Sequence, residues 1–166
     1  TPARGNLSHA GGEYMCGTGN QNYGYIGDRN SPGYSSNYDR IDYSNDMATA
    51  LIRGSFSPSA GYIRAYSATG NANYGYFAFN NTSSVKRIDY SNDTATPLIR
   101  SSQVTFPGDA GAGTAASGNS DYGYWTGGGP YPASNSHNQR LTFASDNSTA
   151  SPKGNLVVPV VFSMGT

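Results

Sequence analysis

Residues 19–25 read GNQNYGY, and the same phrase returns as GNANYGY at residues 70–76 and as GNSDYGY at residues 118–124. Repetition at an interval of about 50 residues is typical of proteins built from stacked copies of one supersecondary unit. This recurrence is stronger evidence than the helix or strand propensity of any single segment, so the sequence predicts a repeat protein.

A second phrase keeps the same phase in each copy, as RIDYSND at residues 40–46 and 87–93 and as RLTFASD at residues 140–146. At one fixed offset it is followed by a Thr-rich segment that ends in a basic residue, which is Arg53, Arg100 or Lys153. The length varies only between the two phrases and after the basic residue. We therefore expect loops in those two intervals.

The two phrases have the alternation of β-strands. Tyr23 and Tyr25 fall on one face of a strand, and Gly24 falls on the other, where a neighbouring sheet can approach closely. Residues 40–43 alternate polar and apolar side chains in the same way. Each copy therefore contributes a strand from each phrase.

The remaining segments predict a turn and two more strands. Residues 44–46, Ser-Asn-Asp, are turn residues, because Asn and Asp tolerate left-handed backbone and bond to their own main chain. A strand is expected to resume at Thr49, and residues 62–67 predict the strand that opens the next cycle. With 22 Gly, 9 Pro and no helical periodicity, we predict an all-β fold with four short antiparallel strands per copy.

This arrangement resembles the blade of a kelch-type β-propeller. Residues 41–43 with the Thr-rich strand resemble the third and fourth strands of such a blade, the Tyr-Gly-Tyr phrase resembles the second, and the segment after Arg53 resembles the innermost. The Gly-Gly doublet of kelch blades survives only at residues 127–129, and the Trp of the fourth strand is missing. The resemblance implies kelch-like blades with altered packing.

The expected organisation is about three blades plus an overlapping partial blade, in a single repeat domain. Its parts are a partial repeat at 1–18, repeats at 19–69 and 70–117, and a third at 118–166 that runs into a partial repeat. A propeller usually needs about 4 to 8 blades to close. We therefore expect the chain to be an open fragment, part of a larger or oligomeric propeller, or an unclosed stack.

The terminal blades of such a stack would each leave a sheet face uncovered. Exposed apolar patches of this kind are rare on soluble monomers. We therefore expect the ends to abut another copy, another chain or further sequence. Residues 1–7 or 157–162 are expected to pair as strands across that junction.

The amino-acid sequence of the repeats also resembles that of repetitive virion proteins of tailed phages that infect marine cyanobacteria and other marine bacteria. This resemblance implies a non-enzymatic structural or adhesive component of a phage particle: a fibre, a decoration or a host-contact protein located in the virion. The implied partners are further copies, other virion proteins and host-surface polysaccharide. The alternative is an extracellular, secreted β-propeller of a bacterium that binds carbohydrate or protein.

Composition excludes several classes of function. The net formal charge is zero and only 12% of residues are charged, so no basic surface is available for nucleic acid. No apolar run approaches the ~18 residues of a membrane span. The single cysteine, Cys16, excludes an internal disulfide and leaves the redox compartment open. Fourteen Tyr, many at repeating positions, predict a folded core in a polar chain.

No catalytic or metal-binding constellation stands out. His9 and His137 lie in different phases of the repeat and are expected in loops, whereas Cys16 is expected to be a buried, inert thiol. The oxygen-bearing side chains at 42–46 suggest calcium, but the Gly and Glu of an EF-hand loop are missing and a hairpin turn explains the run. We predict no enzyme, no cofactor and no metal.

The candidate ligand-binding residues are Trp125, Tyr131, Asp28 and Arg29. Aromatic rings beside Gly and polar amides are suited to stacking on sugars, and loops on a rigid scaffold are the usual place for recognition. Trp125 also has a second interpretation, as a packing residue on a blade strand. The sequence does not decide between the two.

Overall fold

The computed structural model describes residues 4–8, 12–30, 36–56, 65–79, 83–103, 114–128 and 135–159. Within these ranges the protein is all-β and forms three antiparallel sheets of four strands. The only helices among them are three single turns of 3₁₀ helix. The prediction of an all-β protein without long helices is confirmed.

Each sheet is a simple meander of consecutive strands. The first sheet consists of β1 (Gly12–Gly19), β2 (Tyr23–Asn30), β3 (Asn37–Asp42) and β4 (Leu51–Ser55). The second consists of β5 (Ala65–Gly70), β6 (Tyr74–Phe79), β7 (Ser84–Asp89) and β8 (Leu98–Ser102). The third consists of β9 (Ala115–Gly118), β10 (Tyr122–Thr126), β11 (Asn138–Thr142) and β12 (Ser151–Pro152).

The Tyr-Gly-Tyr phrase occupies the same place in every sheet. Tyr23, Tyr74 and Tyr122 each open the second strand of their sheet. Each pairs with the last residue of the third strand, which is Asp42, Asp89 or Thr142. The predicted equivalence of the three tyrosines is confirmed.

The predicted turns after the third strands are also confirmed, as the 3₁₀ turns Tyr43–Asn45, Tyr90–Asn92 and Phe143–Ser145. Their expected basis in left-handed backbone is wrong. Asp46 has φ −72°, and Ser83 is the only non-glycine residue with positive φ in the described part of the chain. In the first copy the turn is held instead by the Asp42 side chain, which accepts a hydrogen bond from the Ser44 backbone N–H at 2.9 Å.

The outer strands begin later than predicted. The Thr-rich segment starts at Thr49, but β4 begins at Leu51, and the Ala50 N–H is bonded to the Asn6 carbonyl at 2.8 Å rather than to β3.

The first of the two intervals expected to be loops is largely strand in the first and second copies: β2 and β3 extend into it at 26–30 and 37–39, and β6 and β7 at 77–79 and 84–86. Much of the second interval, 57–64 and 104–113, lies outside the described residues. Residues 4–7 and 157–159, which were expected near the junctions, form no strand within this chain.

Aromatic cores join neighbouring sheets. The ring of Phe56 lies 4.8 to 5.1 Å, between centroids, from the rings of Tyr38, Phe77 and Phe79. Strand β1 contacts β5, and β5 contacts β9, so the first strands of successive sheets lie side by side. The buried core residues are Tyr25, Tyr38, Phe56, Phe77, Phe79, Ile88 and Tyr90 in one cluster, and Tyr76, Ala78, Val85, Ala116, Trp125, Leu141, Phe143 and Ala150 in the other.

The glycine of the repeated phrase allows this approach. A Cβ atom added to Gly75 would lie 2.8 Å from Thr18 Cγ2, on the preceding sheet, and 2.8 Å from the Tyr90 hydroxyl. At Gly123 the corresponding contact is Thr69 Cγ2, at 2.7 Å. The predicted close approach of a neighbouring sheet is confirmed at these two positions. At Gly24, the contact is instead the Tyr43 ring of the same copy, with the hydroxyl 2.8 Å from an added Cβ.

The replacement Gly75→Ala is therefore expected to lower the free energy of unfolding by about 1 to 3 kcal/mol, because the methyl group overpacks the junction between sheets. Gly154→Ala is the matched control: a Cβ there meets nothing within 4 Å, so a change within about 0.5 kcal/mol is expected. Urea unfolding of the two variants measures the difference. Equal stability would show that the sheets do not approach at Gly75.

Candidate functional site

A buried carboxylate joins the first sheet to the second. Asp93 follows the 3₁₀ turn of the second copy, and its side chain is only 4% exposed. Three side chains of the first copy donate to it: Tyr25 Oη at 2.8 Å, Arg40 Nη1 at 2.8 Å and Arg53 Nη2 at 2.7 Å. We call these four residues the Asp93 cluster.

The same contact recurs one repeat later. Asp146 accepts from Tyr76 Oη at 2.9 Å, from Arg87 Nη1 at 2.6 Å and from Arg100 Nη2 at 3.0 Å. These four residues form the Asp146 cluster. In both clusters the aspartate comes from one copy, and the tyrosine and two arginines come from the copy before it.

Local structure places each donor. The tyrosine lies on the second strand, one arginine lies on the third, and the other arginine lies on the fourth. Side chains from three adjacent strands therefore converge on one carboxylate. The third-strand arginine also stands over the first tyrosine of the phrase, at 4.3 Å for Arg40 over Tyr23. This stacking helps to orient the guanidinium group toward the aspartate.

Aromatic stacking accompanies each cluster. Tyr25 lies 4.7 Å from Tyr90, between ring centroids, at an interplanar angle of 11°. Tyr76 lies 4.6 Å from Phe143 at 8°. The aromatic residue at the start of the 3₁₀ turn and the aspartate after it thus dock together on the preceding sheet.

The clusters shift the pKa values of their members. Burial acts to raise the pKa of Asp93, but hydrogen bonds from Arg53, Tyr25 and Arg40 outweigh it and lower the pKa below its usual value. Burial, reinforced by the hydrogen bond to Asp93, raises the pKa of Tyr25 well above its usual value. Burial and the nearby charge of Asp93 also raise the pKa of Tyr38, to about 12. The clusters therefore hold ionised aspartates and neutral tyrosines.

These shifts predict how stability depends on pH. Since the aspartate pKa is lower in the folded state than the ~3.9 of an unfolded chain, its stabilisation is present above about pH 4 and is lost as the pH falls through the folded value. Since the pKa of Tyr25 is raised above the usual ~10, its stabilisation is lost as the pH rises beyond about 10. We expect a plateau in the free energy of unfolding from about pH 5 to 9.

Denaturant unfolding at a series of pH values measures this profile. The double variant Asp93→Asn with Asp146→Asn is the control, and it is expected to lose most of the acid limb. A wild-type profile that stays flat far below pH 4 would contradict the assignment of two ionised aspartates.

A separate polar depression lies where the turns before the Tyr-Gly-Tyr strands meet. In each turn an asparagine Oδ1 accepts two backbone N–H groups, as Asn71 does from Asn73 at 2.9 Å and from Tyr74 at 3.0 Å. Turns of all three copies line a depression of about 580 Å³, and its polar side chains include Asn20, Gln21, Asn22, Asn71, Asn119 and Ser120. The Nδ2 groups of Asn71 and Asn119 have no acceptor among the described residues.

Trp125 is buried and does not line this depression. Its side chain is 1% exposed and belongs to the core between the second and third sheets. An enclosed ring cannot stack on a sugar, so its position corresponds to the packing interpretation. Its Nε1 is buried without an acceptor among the described residues.

The other sequence candidates lie wholly or partly outside the described residues. Asp28 and Arg29 lie within β2 and not in a loop, and Arg29 pairs through its backbone with Glu13 on β1. Their side chains, Tyr131 and His9 lie outside the described residues. His137 lies directly before β11, outside the strand as expected.

Cys16 lies on β1, where it is partly rather than fully buried and packs against the first core. Burial raises the pKa of its thiol well above the usual range, which fits the expected inert role. No group of three or more potential metal ligands occurs in the described ranges. Within the same ranges, no helix has the length and apolar character that crossing a membrane requires.

Sequence reasoning interpreted the aspartates as turn residues and missed their role between copies. A signal was present: in a chain with 12% charged residues, Arg40 and Arg87 share one phase, while Arg53 and Arg100 share another. The aspartates, Asp93 and Asp146, also share a phase. Positive and negative side chains that each recur at a fixed position of the repeat indicate a contact between repeats. The turn alone accounts for an aspartate at these positions, so the sequence of one copy gives no sign of the second role.

The fold and the clusters define an all-β repeat protein in which each copy docks on the one before it. Comparison of the sequence with models of protein families gave no match, and comparison with curated proteins gave none either.

Proposed function

We propose that the protein is a non-enzymatic structural or adhesive component of a phage particle, located in the virion as a fibre, a decoration or a host-contact protein. The amino-acid sequence of its repeats resembles that of repetitive virion proteins of marine phages, and this resemblance supports the proposal. The single observation that carries it is the recurrence of one buried charged contact between copies. Such contacts fix the spacing and orientation of repeats, which is what a structural component needs.

We also propose that the three sheets are kelch-like propeller blades. Support comes from the side-by-side first strands, since blades of a propeller place their inner strands around the axis. The meander order of each sheet is also that of a propeller blade.

Protein quantification in purified particles of the encoding phage tests the virion proposal. The expected result is this chain at a stoichiometric copy number relative to the major capsid protein. Absence from the particles, together with secretion of the chain by a bacterium, would contradict it.

A second candidate function, binding of a polysaccharide, is favoured by the amide-lined depression. Asparagine amides and hydroxyl groups at 19–22, 70–72 and 119–120 offer donors and acceptors to sugar hydroxyls. The ligand would be a neutral or weakly charged host-surface polysaccharide, because no charged residue lines the depression among those described.

Calorimetry with purified host-surface polysaccharide tests this candidate. The double variant Gln21→Ala with Ser120→Ala is expected to weaken binding about tenfold, because two hydrogen-bonding side chains are lost from exposed positions. Ile99→Ala, an exposed change on β8 away from the depression, is the control. Equal binding by all three proteins would exclude the depression as the site.

A further inference from the structure

The first and third copies each carry an incomplete version of the aspartate cluster. Asp46 is the first-copy equivalent of Asp93 and Asp146, and its side chain is 43% exposed. It keeps one ion pair, with Arg4 Nη1 at 3.3 Å, and meets no tyrosine hydroxyl and no second arginine in the described part of the chain. The aspartate is present here, but the described residues supply only one of its three donors.

The third copy shows the opposite deficit. Tyr124 and Arg140 are the equivalents of Tyr25 and Arg40, and they have no aspartate among the described residues. Arg140 still stands over Tyr122, with Cζ 4.3 Å from the ring centroid, as Arg40 stands over Tyr23. Its buried Nε has no hydrogen-bond partner within the described ranges. The arginine and tyrosine are in place, but the described residues supply no aspartate for them.

The aromatic stack is divided in the same way. Tyr43, the equivalent of Tyr90 and Phe143, is 51% exposed, whereas those two residues are 8% exposed. Tyr124 is only half-buried, whereas its equivalents Tyr25 and Tyr76 are fully buried. One end therefore presents an aspartate and an aromatic ring, and the other presents the arginine and tyrosine that bind them elsewhere in the chain.

We propose that these two ends bind each other in a second copy of the same chain, with Asp46 and Tyr43 of one copy docked on Arg140 and Tyr124 of the next. Complementary charge and the two internal examples of the contact argue for this occupant. The interface is heterologous and joins copies head to tail. It concerns assembly alone and does not depend on a place in a virion.

One detail of the docked pair follows from the phase of the repeats. Arg4 and Lys153 both occupy the phase of Arg53 and Arg100, so only one of them can lie against Asp46. Arg4 already does, and Lys153 is exposed. Replacing Lys153 should therefore leave the association of copies unchanged.

Sedimentation velocity over a concentration series tests the proposal. Wild-type protein is expected to exceed the mass of one chain as its concentration rises. Asp46→Arg and Arg140→Asp should each weaken self-association about thirtyfold or more, since each places like charges at the contact. An equimolar mixture of the two variants should associate again, because each variant keeps the end that the other has lost.

Two control variants and one further test variant complete the experiment. Asp121→Arg, at an exposed site before β10, and Lys153→Ala should both associate like wild type. Tyr43→Ala, which retains all charges, should weaken association through loss of the ring stack. Circular dichroism and thermal unfolding establish that each variant is folded. Wild-type protein that stays at the mass of one chain up to its solubility limit would overturn the proposal, as would association that neither charge reversal weakens.

Discussion

Replacing Asp93 with alanine is expected to lower the free energy of unfolding by about 3 to 5 kcal/mol. The substitution removes the only carboxylate of the cluster and leaves the guanidinium groups of Arg40 and Arg53 together without their counter-ion. It also leaves the buried hydroxyl of Tyr25 without its acceptor. Denaturant unfolding measures the loss.

Asp46→Ala is the matched control, because it removes the equivalent aspartate from the incomplete cluster. Its one ion pair joins side chains that are 43% and 59% exposed, so a loss of only about 0 to 1 kcal/mol is expected. Both variants are measured at the lowest usable concentration, where copies are apart. If the two variants lose similar free energies of unfolding, the hydrogen bonds and ion pairs of the Asp93 cluster add no stability beyond that of the turn.

Replacing Phe56 with alanine is expected to cost about 3 to 5 kcal/mol. Its ring is 1% exposed and packs between Tyr38 of the first sheet and Phe77 and Phe79 of the second. The truncation therefore opens a cavity at the junction of two sheets. Thermal and urea unfolding both report this loss.

Leu98→Ala is the control for hydrophobic truncation. Leu98 lies on β8 and is 60% exposed, so its removal should change the free energy of unfolding by no more than about 0.5 kcal/mol. A Phe56 variant as stable as the Leu98 variant would mean that the two sheets do not share an aromatic core.

The sequence predicted the features that are local to one copy. Strand alternation placed Tyr23 and its equivalents, and turn chemistry placed residues 44–46, because each depends on neighbours within a few positions. The glycine between the tyrosines also predicted that a neighbouring sheet packs closely on that face of the strand, and the contacts of Gly75 and Gly123 confirm it.

Features that join two copies were harder to predict. Nothing local to Asp93 indicates that Arg40 and Arg53, 53 and 40 positions earlier, bind it. The burial of the Trp125 side chain likewise depends on the neighbouring sheet that packs against it. A tryptophan beside a repeated strand pattern fits a binding platform as well as a core until the next sheet is in place.

The central claim is that Asp93 and Asp146 each couple one copy to the copy before it, and a double-mutant cycle on Asp93 and Arg53 tests this most directly. Asp93→Ala, Arg53→Ala and the double variant should give a coupling energy of about 1 kcal/mol or more. The same cycle on Asp93 and Arg100, which binds Asp146 instead, should be additive within about 0.3 to 0.5 kcal/mol. Additivity of Asp93 with Arg53 would contradict the account.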